Sequence, residues 1–340
     1  VAAIATASGE AALHLAITTL MGAGSHIVAS SALYGGSQNL LSYTLPRFGV
    51  QTTFVRPGDL DGWRNAIQPN TRLLFGEMVG NPGLDVLDVP AVADIAHAAG
   101  LPLLVDNTFT TPYLVRPFDL GADLIYHAAT KFLGGHGTVM GGVLVDGGSF
   151  DWEKSGRFPE LTEPYDGFHG MVFAEESTVG AFVLRARREG LRDFGACLSP
   201  HSAWLILQGI ETLPLRMDRT CENALAIAKY LEKHPKVSAV HYAGLPGHAD
   251  YAVAQRLMGG RASGIISFNL KTGDGRAAGA RFQDALSLFL RLVNIGDTKS
   301  LVCHPASTTH RQLDTTELAK AGVSENMVRL SVGIEHIDDL

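Results

Sequence analysis

The sequence predicts an α/β fold: a large domain built on a mostly parallel β-sheet, followed by a smaller C-terminal α+β domain. In the first half of the chain, short apolar runs alternate with helical patterns. Near-continuous apolar strands separated by helices are typical of a parallel sheet that is buried on both faces. The alternation weakens after about Leu213. With 340 residues, 46% of them apolar, the chain is long enough for about two domains, which we place at 1–213 and 214–340.

Six strands are predicted in the first half, together with a helix over 10–21, another after Gly36 and a third over 89–99. The strands are expected at 25–30, 50–55, 71–78, 101–108, 122–129 and 139–146. Each run is rich in β-branched and other apolar residues. The segment 148–172 interrupts this rhythm with Gly, Pro and aromatic residues, so we expect a long surface excursion there. A helix over 175–189 is expected to follow it.

The second domain is expected to begin with a long helix over 214–234. Strand patterns follow at 237–244, 262–271 and 327–333, and a helix is expected near 277–289. The first residues already resemble the interior of a domain, and the last ones resemble the start of a helix. We therefore expect the natural protein to continue at both ends.

Composition and charge argue against several classes of function. The net charge is −7 and there is no basic run, which argues against nucleic-acid binding. The apolar runs are too short to predict a membrane span. Three widely spaced cysteines indicate reduced thiols, most simply buried ones, in a cytoplasmic protein. None of the histidines shows the spacing of a metal site, so we expect no metal; they include His127, His136, His304 and His310. The sequence also has no glycine-rich nucleotide-binding loop, which argues against nucleotide binding.

Two charged residues stand where apolar strands end, which is where open α/β sheets bind ligands. Asp106 ends the run LPLLVD, and Lys131 follows ADLIYHAAT and precedes FLGGHG. A buried carboxylate is costly unless it is paired, and a lysine in an apolar setting can become a nucleophilic amine. The alternatives are an aspartate that caps the next turn and a lysine on the surface.

Other polar or aromatic residues lie near predicted strand ends. The segment SGEAA opens a helix at Gly9 and Glu10, whose N–H groups could bind a phosphate. Tyr34 could stack on a flat ligand, although a core or surface tyrosine fits equally well. Arg329 could grip a carboxylate with two hydrogen bonds or form a structural ion pair. Asn81 and Ser307 complete this set of candidates.

Together these residues supply a lysine, a carboxylate, a stacking ring, a phosphate pocket and an arginine, which are the parts that a pyridoxal 5'-phosphate site needs. The string YHAATKFLGGHGTVMGG resembles the lysine signature of the Cys/Met-metabolism pyridoxal-phosphate enzymes. DNTFTTPYLVRPFDLGAD, HPASTTH and VRLSVGIEHIDDL are similar to that family too. The resemblance covers essentially the whole chain. It implies a fold-type I transferase whose large domain has a mostly parallel sheet of the seven-stranded type.

The resemblance also implies a role for each candidate. Lys131 forms the Schiff base with the cofactor and later moves protons, Asp106 pairs with the pyridinium nitrogen, and Tyr34 stacks on the ring. The phosphate binds the N–H groups of Gly9 and Glu10 and the hydroxyl of Thr130. Asn81 contacts the phenolic oxygen of the cofactor or the substrate. Arg329, with Ser307 nearby, holds the substrate carboxylate.

Within the family, the segment 148–172 resembles that of O-acetylhomoserine sulfhydrylases. The implied reaction replaces the acetate of O-acetylhomoserine by sulfide or a thiol and gives homocysteine in a cytoplasmic homotetramer. Methionine or cystathionine γ-lyase and O-succinylhomoserine sulfhydrylase are alternatives. Methionine γ-lyases typically have Cys at the position of Gly36, which favours transfer. A cofactor-free relic is the remaining alternative.

Three features depart from the family pattern. Ala128 stands where members commonly have a serine that binds the phosphate, and losing that bond costs roughly 1.5–3 kcal/mol. Glu10 replaces Gln or Met, and its carboxylate would repel a phosphate unless it points away. The N-terminal arm that brings a Tyr and an Arg to a neighbouring subunit's phosphate does not precede Val1.

Overall fold

The computed structural model describes residues 1–176, 180–271, 274–309, 311, 314–320 and 322–340. Its larger β-sheet has seven strands in the order β1-β7-β6-β5-β4-β2-β3. The strands are β1 (Ala2–Thr6), β2 (His26–Ser30), β3 (Gln51–Val55), β4 (Thr71–Glu77), β5 (Leu103–Asp106), β6 (Leu124–Ala128) and β7 (Gly142–Asp146). Strands β2 to β6 are mutually parallel, and β7 is antiparallel to both β6 and β1. The predicted α/β fold with a mostly parallel sheet is confirmed.

Strand β1 is the element of this sheet that the sequence does not predict. Three of its five residues are alanine, which is depleted in strands. It forms because all five residues pair with β7, from Ala2 opposite Asp146 to Thr6 opposite Gly142. Pairing with a strand distant in the sequence therefore decides the structure here.

The helices connect the strands and cover both faces of the sheet. The α-helices are α1 (Gly9–Leu20), α2 (Gly35–Asn39), α3 (Leu60–Asn65), α4 (Val89–Ala98), α5 (Thr111–Leu114), α6 (Trp152–Ser155), α7 (Pro159–Thr162), α8 (Phe173–Glu176), α9 (Ala181–Arg185), α10 (Arg192–Phe194), α11 (Pro200–Glu211), α12 (Leu213–Glu232), α13 (Tyr251–Met258), α14 (Gly275–Ala285) and α15 (Thr315–Lys320). Short 3-10 helices occupy Leu45–Phe48, Pro117–Leu120, Asp166–Phe168 and Pro305–Ser307, and π-helical turns occupy Leu40–Thr44 and Ala186–Leu191. The predicted helices over 10–21, 89–99 and 214–234 are confirmed to within two residues. The helix expected near 277–289 is α14, which ends four residues earlier.

Successive residues of the central strands enter two different hydrophobic cores. In β4, Leu74 packs into one core with α4 and α12, whereas Leu73 and Phe75 pack into the other with α1. Side chains alternate between the faces of a strand, so a strand covered on both faces must be apolar at every position. This arrangement explains the continuous apolar runs from which the sheet is predicted.

The segment 148–172 lies mostly at the surface, as the sequence predicts, but three of its apolar side chains are buried. Trp152, Phe158 and Leu161 are buried in the second core with Phe173. The helix expected over 175–189 is wrong as one continuous element, because Gly180 has a φ of 104°, which is incompatible with a right-handed helix. Helix α8 ends at Glu176 and α9 begins at Ala181, and residues 177–179 lie outside the described part of the chain.

A second sheet follows in the chain, with strands in the order β10-β11-β12-β9-β8. They are β8 (Val237–His241), β9 (Ile265–Leu270), β10 (Leu290–Arg291), β11 (Leu301–Cys303) and β12 (Met327–Ser331). The short β10 and β11 are not predicted from the sequence. Helix α12 packs against β8 and β9; the division of the chain at 213 stays a prediction. Among the described residues, no helix is both long and apolar enough to cross a bilayer.

Candidate active site

The candidate site begins at two acidic residues, Glu77 and Asp106, at the carboxyl ends of neighbouring parallel strands. They are paired in the register of β4 and β5. The Asp106 Oδ1 atom accepts hydrogen bonds from the N–H and the hydroxyl of Thr108, with heavy-atom distances of 2.8 Å and 2.5 Å. The Tyr126 phenol also hydrogen-bonds to this carboxyl, so the neighbours of Asp106 are neutral donors and none of these bonds neutralises its charge.

Burial raises the pKa of both acids, and that of Glu77 rises further because of the charge on Asp106. The pKa of Glu10 rises to about 7 for the same two reasons, burial first and then Asp106. The phenol of Tyr126, buried beside them, has its pKa raised well above its ordinary value. Four acidic groups thus share one buried region, and that region favours a positively charged partner.

Tyr34 lies at the start of α2, and its side chain is 49% exposed. Its backbone N–H donates to Glu77 Oε1 over 2.5 Å. Burial raises the pKa of its phenol; Glu10 acts in the same direction and Arg329 acts against it. The Tyr34 phenol therefore lies within electrostatic range of both the acidic cluster and Arg329.

Lys131 lies in a tight turn after β6, where its N–H donates to the Ala128 carbonyl. Its amine donates a 2.5 Å hydrogen bond to Asn294 Oδ1. Burial, and then the charge of Arg329, lower the pKa of the amine from 10.5 to about 8. Roughly a tenth of the amine is therefore neutral, and nucleophilic, at pH 7.

Arg329 reaches the same place from β12 of the second sheet, and it is 4% exposed. Its Nη1 donates to Asn81 Oδ1 over 3.0 Å and its Nη2 donates to the Val293 carbonyl over 2.7 Å. Neither partner is charged, so the guanidinium keeps its positive charge available for an anionic ligand. The structure thus brings Asn81 and Arg329 together with Lys131 across the two sheets.

The turn before α1 packs directly against the end of β6. The Ser8 hydroxyl caps the helix by accepting from the Ala11 N–H, while the first N–H groups of a helix have no partner within it. A Cβ on Gly9 would lie 2.5 Å from the Ala128 Cβ. Thr130 lies in the adjacent turn, where its hydroxyl accepts from the Gly141 N–H over 3.1 Å.

Glu10 turns its carboxyl towards the acidic cluster. The carboxyl lies close enough to Asp106 for that charge to raise its pKa, and its buried Oε1 has no hydrogen-bond partner among the described residues. The backbone N–H of Glu10 remains at the start of α1. The Glu10 carboxylate therefore repels Asp106 and not a phosphate at the start of α1. The arrangement also leaves one buried carboxyl oxygen without a hydrogen bond, which is unfavourable.

The role of Ser307 beside the substrate stays a prediction. Ser307 is exposed after β11, and its hydroxyl bonds to His304 Nδ1 over 2.8 Å. His304 is buried and also bonds through Nε2 to the Glu325 carbonyl, which makes this a structural link. His310 lies outside the described residues, and among those described no group of ligands could hold a metal.

Two residues of the site are not found by reading the sequence. Glu77 is hidden inside a predicted strand, and its pairing with Asp106 becomes evident only once β4 and β5 are neighbours. Asn294 contacts Lys131 from 163 positions away, in a segment without any motif signal. The cysteines also differ from expectation, since Cys197 is exposed while Cys221 and Cys303 are buried.

The residues present fit pyridoxal phosphate. The acidic cluster lacks a cation among its described neighbours, and a pyridinium nitrogen would supply one to Asp106. The amine of Lys131 has the lowered pKa that a Schiff-base lysine needs. The start of α1 offers N–H groups to a phosphate beside Thr130.

Comparisons with known proteins agree with this geometry. The family model for Cys/Met metabolism PLP-dependent enzymes matches residues 1–340. An O-acetyl-L-homoserine sulfhydrylase of Leptospira meyeri is 50% identical over 349 residues, covering 100% of this chain and 78% of the relative. A homocysteine synthase of Schizosaccharomyces pombe is 49% identical over 341 residues, covering 100% and 79%.

A solved structure is similar throughout. It is a 2.35 Å crystal structure, described as an O-acetylhomoserine (thiol)-lyase from Campylobacter jejuni, that contains N'-pyridoxyl-lysine-5'-monophosphate. Its TM-score is 0.94 at 36% sequence identity, and the match covers 99% of this chain and 80% of that one. From the matched family, the relatives and the shared fold, the chain belongs to the Cys/Met metabolism PLP-dependent enzymes.

Proposed function

We propose that the chain is an O-acetylhomoserine sulfhydrylase, which replaces the acetate of O-acetylhomoserine by sulfide to give homocysteine. The observation that carries this proposal is the Lys131 amine, whose pKa is lowered to about 8 beside Arg329. A partly neutral amine next to a buried guanidinium suits an amino-acid substrate, because the amine serves the cofactor and the guanidinium binds the substrate carboxylate. The relatives named for this reaction support the choice of substrate.

The candidate residues receive the following roles in this proposal, with Ser307 near Arg329 at the substrate carboxylate. Lys131 would hold the cofactor, Asp106 its ring nitrogen, and Tyr34 its ring face. The phosphate would bind at the start of α1 and at Thr130, and Asn81 would contact the ring's phenolic oxygen or the substrate. When bound, pyridoxal phosphate withdraws electrons from the substrate, which acidifies the α-proton and then the β-proton and allows acetate to leave the γ-carbon.

The chain's own groups bind the substrate and move its protons. Arg329 would exchange its bonds to Asn81 and Val293 for the substrate carboxylate, which orients the α-carbon towards Lys131. The Nζ of Lys131 takes and returns protons, and its pKa near 8 suits both directions at neutral pH. Asn294 accepts a hydrogen bond from that nitrogen and so limits its position.

The γ-lyases are the main alternative, and Gly36 bears on them. A Cβ at Gly36 would lie 2.4 Å from Tyr34 Cε1, so a side chain there would move the ring of Tyr34 or be moved by it. This chain has glycine at position 36, where methionine γ-lyases typically have cysteine, and the absence of that side chain favours transfer to sulfide over lysis. O-succinylhomoserine remains an alternative substrate. The alternative to an enzymatic function is an inactive relic that binds no cofactor.

One set of assays separates these alternatives. Purified protein loaded with pyridoxal phosphate is given O-acetylhomoserine or O-succinylhomoserine with sulfide, and homocysteine is quantified; methionine alone is tested for 2-oxo acid and ammonia. We expect sulfide-dependent homocysteine from the acetyl ester and none from Lys131→Ala. Strong methionine lysis without sulfide-dependent product would refute the proposal. Protein that stays colourless with added cofactor would indicate the relic.

Assembly and location complete the proposal. We infer that the protein is a homotetramer and that it resides in the cytoplasm, and three free cysteines are consistent with that compartment. Helix α11 exposes Trp204 and Leu207, and Leu215 of α12 is exposed after it. Met140, in the loop that follows Lys131, is a further exposed apolar side chain. Leu207→Glu should lower the mass measured by light scattering, whereas an unchanged mass would exclude this face as an interface.

A further inference from the structure

Glu77 is a buried acid to which the proposed reaction gives no role. It is the last residue of β4, and it is 5% exposed. The charged groups that act on it are two other acids, Asp106 and then Glu10. A buried acid without a cationic partner is costly to retain, so its contacts need an explanation.

Its hydrogen bond leads to Tyr34. The Glu77 Oε1 atom accepts the backbone N–H of Tyr34 over 2.5 Å, across 43 positions of sequence. Tyr34 is the residue that precedes α2, and its own side chain makes no capping bond there. The Glu77 carboxyl therefore ties the start of α2 to the end of β4 at the residue whose ring faces the site.

The two carboxyls at the strand ends, Glu77 and Asp106, are expected to differ in charge. Burial and the charge of Asp106 both raise the pKa of Glu77 well above its ordinary value, because two neighbouring buried carboxyls cannot both be charged at low cost. A protonated Glu77 still accepts a hydrogen bond through its carbonyl-type oxygen. Asp106 can then be the single negative charge opposite a ring nitrogen.

We propose that Glu77 is a positioning residue: it fixes the main chain at Tyr34 and so holds the phenol over the cofactor, while Asp106 alone supplies the charge for the ring nitrogen. This inference rests on the roles proposed above for Tyr34 and Asp106. It gives Glu77 no contact with the substrate, so its effect has to pass through Tyr34.

The test compares Glu77→Leu with Glu77→Gln in cofactor-loaded protein. Leucine removes the acceptor, whereas glutamine keeps a neutral acceptor of the same shape. We measure the visible circular dichroism of the bound cofactor at saturation, which reports how the ring is held, and the Kd of the cofactor. Glu77→Leu should reduce the ellipticity per bound cofactor and weaken cofactor binding about tenfold, as expected when one buried hydrogen bond is lost. Glu77→Gln should stay within about twofold of wild type.

A double-mutant cycle tests the route through Tyr34. In a Tyr34→Ala background, where no phenol remains to be held, Glu77→Leu should change cofactor binding less than about twofold. The proposal is overturned by an unchanged dichroism in Glu77→Leu, or by an undiminished effect in the Tyr34→Ala background.

The glutamine variant keeps the proposal testable if Glu77→Leu does not fold. A Glu77→Gln protein that folds but loses the wild-type dichroism shows that a charged Glu77 is required, which overturns the proposal. Failure of the proposed function would be visible separately. Wild-type protein would then bind cofactor with its normal dichroism but make no homocysteine from O-acetylhomoserine and sulfide.

Discussion

The lowered pKa of Lys131 leads to a quantitative prediction about the cofactor-free protein. Burial and Arg329 bring this pKa from 10.5 to about 8. At pH 7, an amine with a pKa of about 8 is roughly 10% neutral, whereas an unperturbed lysine is about 0.03% neutral, a ratio of roughly 300. Lys131 should therefore react as a nucleophile at neutral pH. Arg329→Gln removes the second cause but leaves the burial, so it should raise the pKa only part of the way.

Competitive acetylation measures this pKa directly. Cofactor-free protein is treated with a trace of acetic anhydride between about pH 6 and 11, a range that spans the ordinary lysine value, and acetylation of Lys131 is followed by mass spectrometry. The exposed Lys233 serves as the internal reference for reagent decay. We expect a midpoint near 8 in wild type, a higher one in Arg329→Gln, and no change in Arg219→Gln on the protein surface. A wild-type midpoint at the ordinary lysine value, or no rise in Arg329→Gln, would refute the reasoning.

Three further predictions concern the neighbouring residues. Burial and Asp106 raise the pKa of Glu10 from 4.5 to about 7, so between these two pH values the folded chain keeps a proton that the unfolded chain releases. The free energy of unfolding therefore falls as the pH rises from 4.5 to about 7. Glu10→Gln should remove roughly 3 kcal/mol of that fall, measured by urea unfolding of cofactor-free protein at about pH 5 and about pH 8. Gly9→Ala should weaken cofactor binding at least tenfold, because the added Cβ would lie 2.5 Å from the Ala128 Cβ and displace the start of α1. Spectrophotometric titration measures the Kd of the cofactor, and an unchanged Kd would contradict the prediction. Arg216→Met should lower the free energy of unfolding by about 3 kcal/mol, because the guanidinium donates to the carbonyls of Phe132 and Gly209. Chemical denaturation measures this loss. A loss below about 1 kcal/mol would show that the two carbonyls find other hydrogen-bond donors.

The strand ends explain how much of the site could be predicted. Asp106 and Lys131 follow apolar strands, and the physics of a parallel sheet brings such residues to one edge. Glu77 lies at the same edge but was hidden, because an acid within a predicted strand looks like any exposed strand residue. Its burial depends on which strand lies beside β4, and the sequence pattern does not encode strand order.

The residues from the second sheet were harder to predict for a different reason. Arg329 was proposed because an arginine is a strong candidate for binding a carboxylate, and the structure places it beside Asn81. Asn294 carries no such chemical signal, and a neutral amide acquires its role only through proximity to Lys131. Ser307 shows the converse, since its position in the motif HPASTTH suggested the site while its hydroxyl bonds to His304.

The aromatic segment 148–172 shows that composition predicts an irregular surface segment but not which of its side chains are buried. Its prolines and glycines forbid long helices or strands, and the segment contains only short helical turns such as α6 and α7. Its aromatic side chains nevertheless pack on one another, with Trp152 and Phe158 in edge-to-face contact at 4.9 Å. Large apolar side chains gain by burial whether or not their backbone is regular.

The chemistry of Lys131 depends on both sheets at once. Asp106 ends β5 and Lys131 follows β6 of the first sheet, whereas Asn294 lies in the connection between β10 and β11 and Arg329 lies in β12 of the second sheet. The two causes that lower the pKa of the amine therefore require the sheets to be in contact. If the sheets separated, water would reach the amine and Arg329 would recede, so the pKa would rise towards 10.5 and the neutral fraction at pH 7 would fall from roughly 10% to about 0.03%. The neutral nucleophile is thus a property of the packed arrangement and not of Lys131 alone.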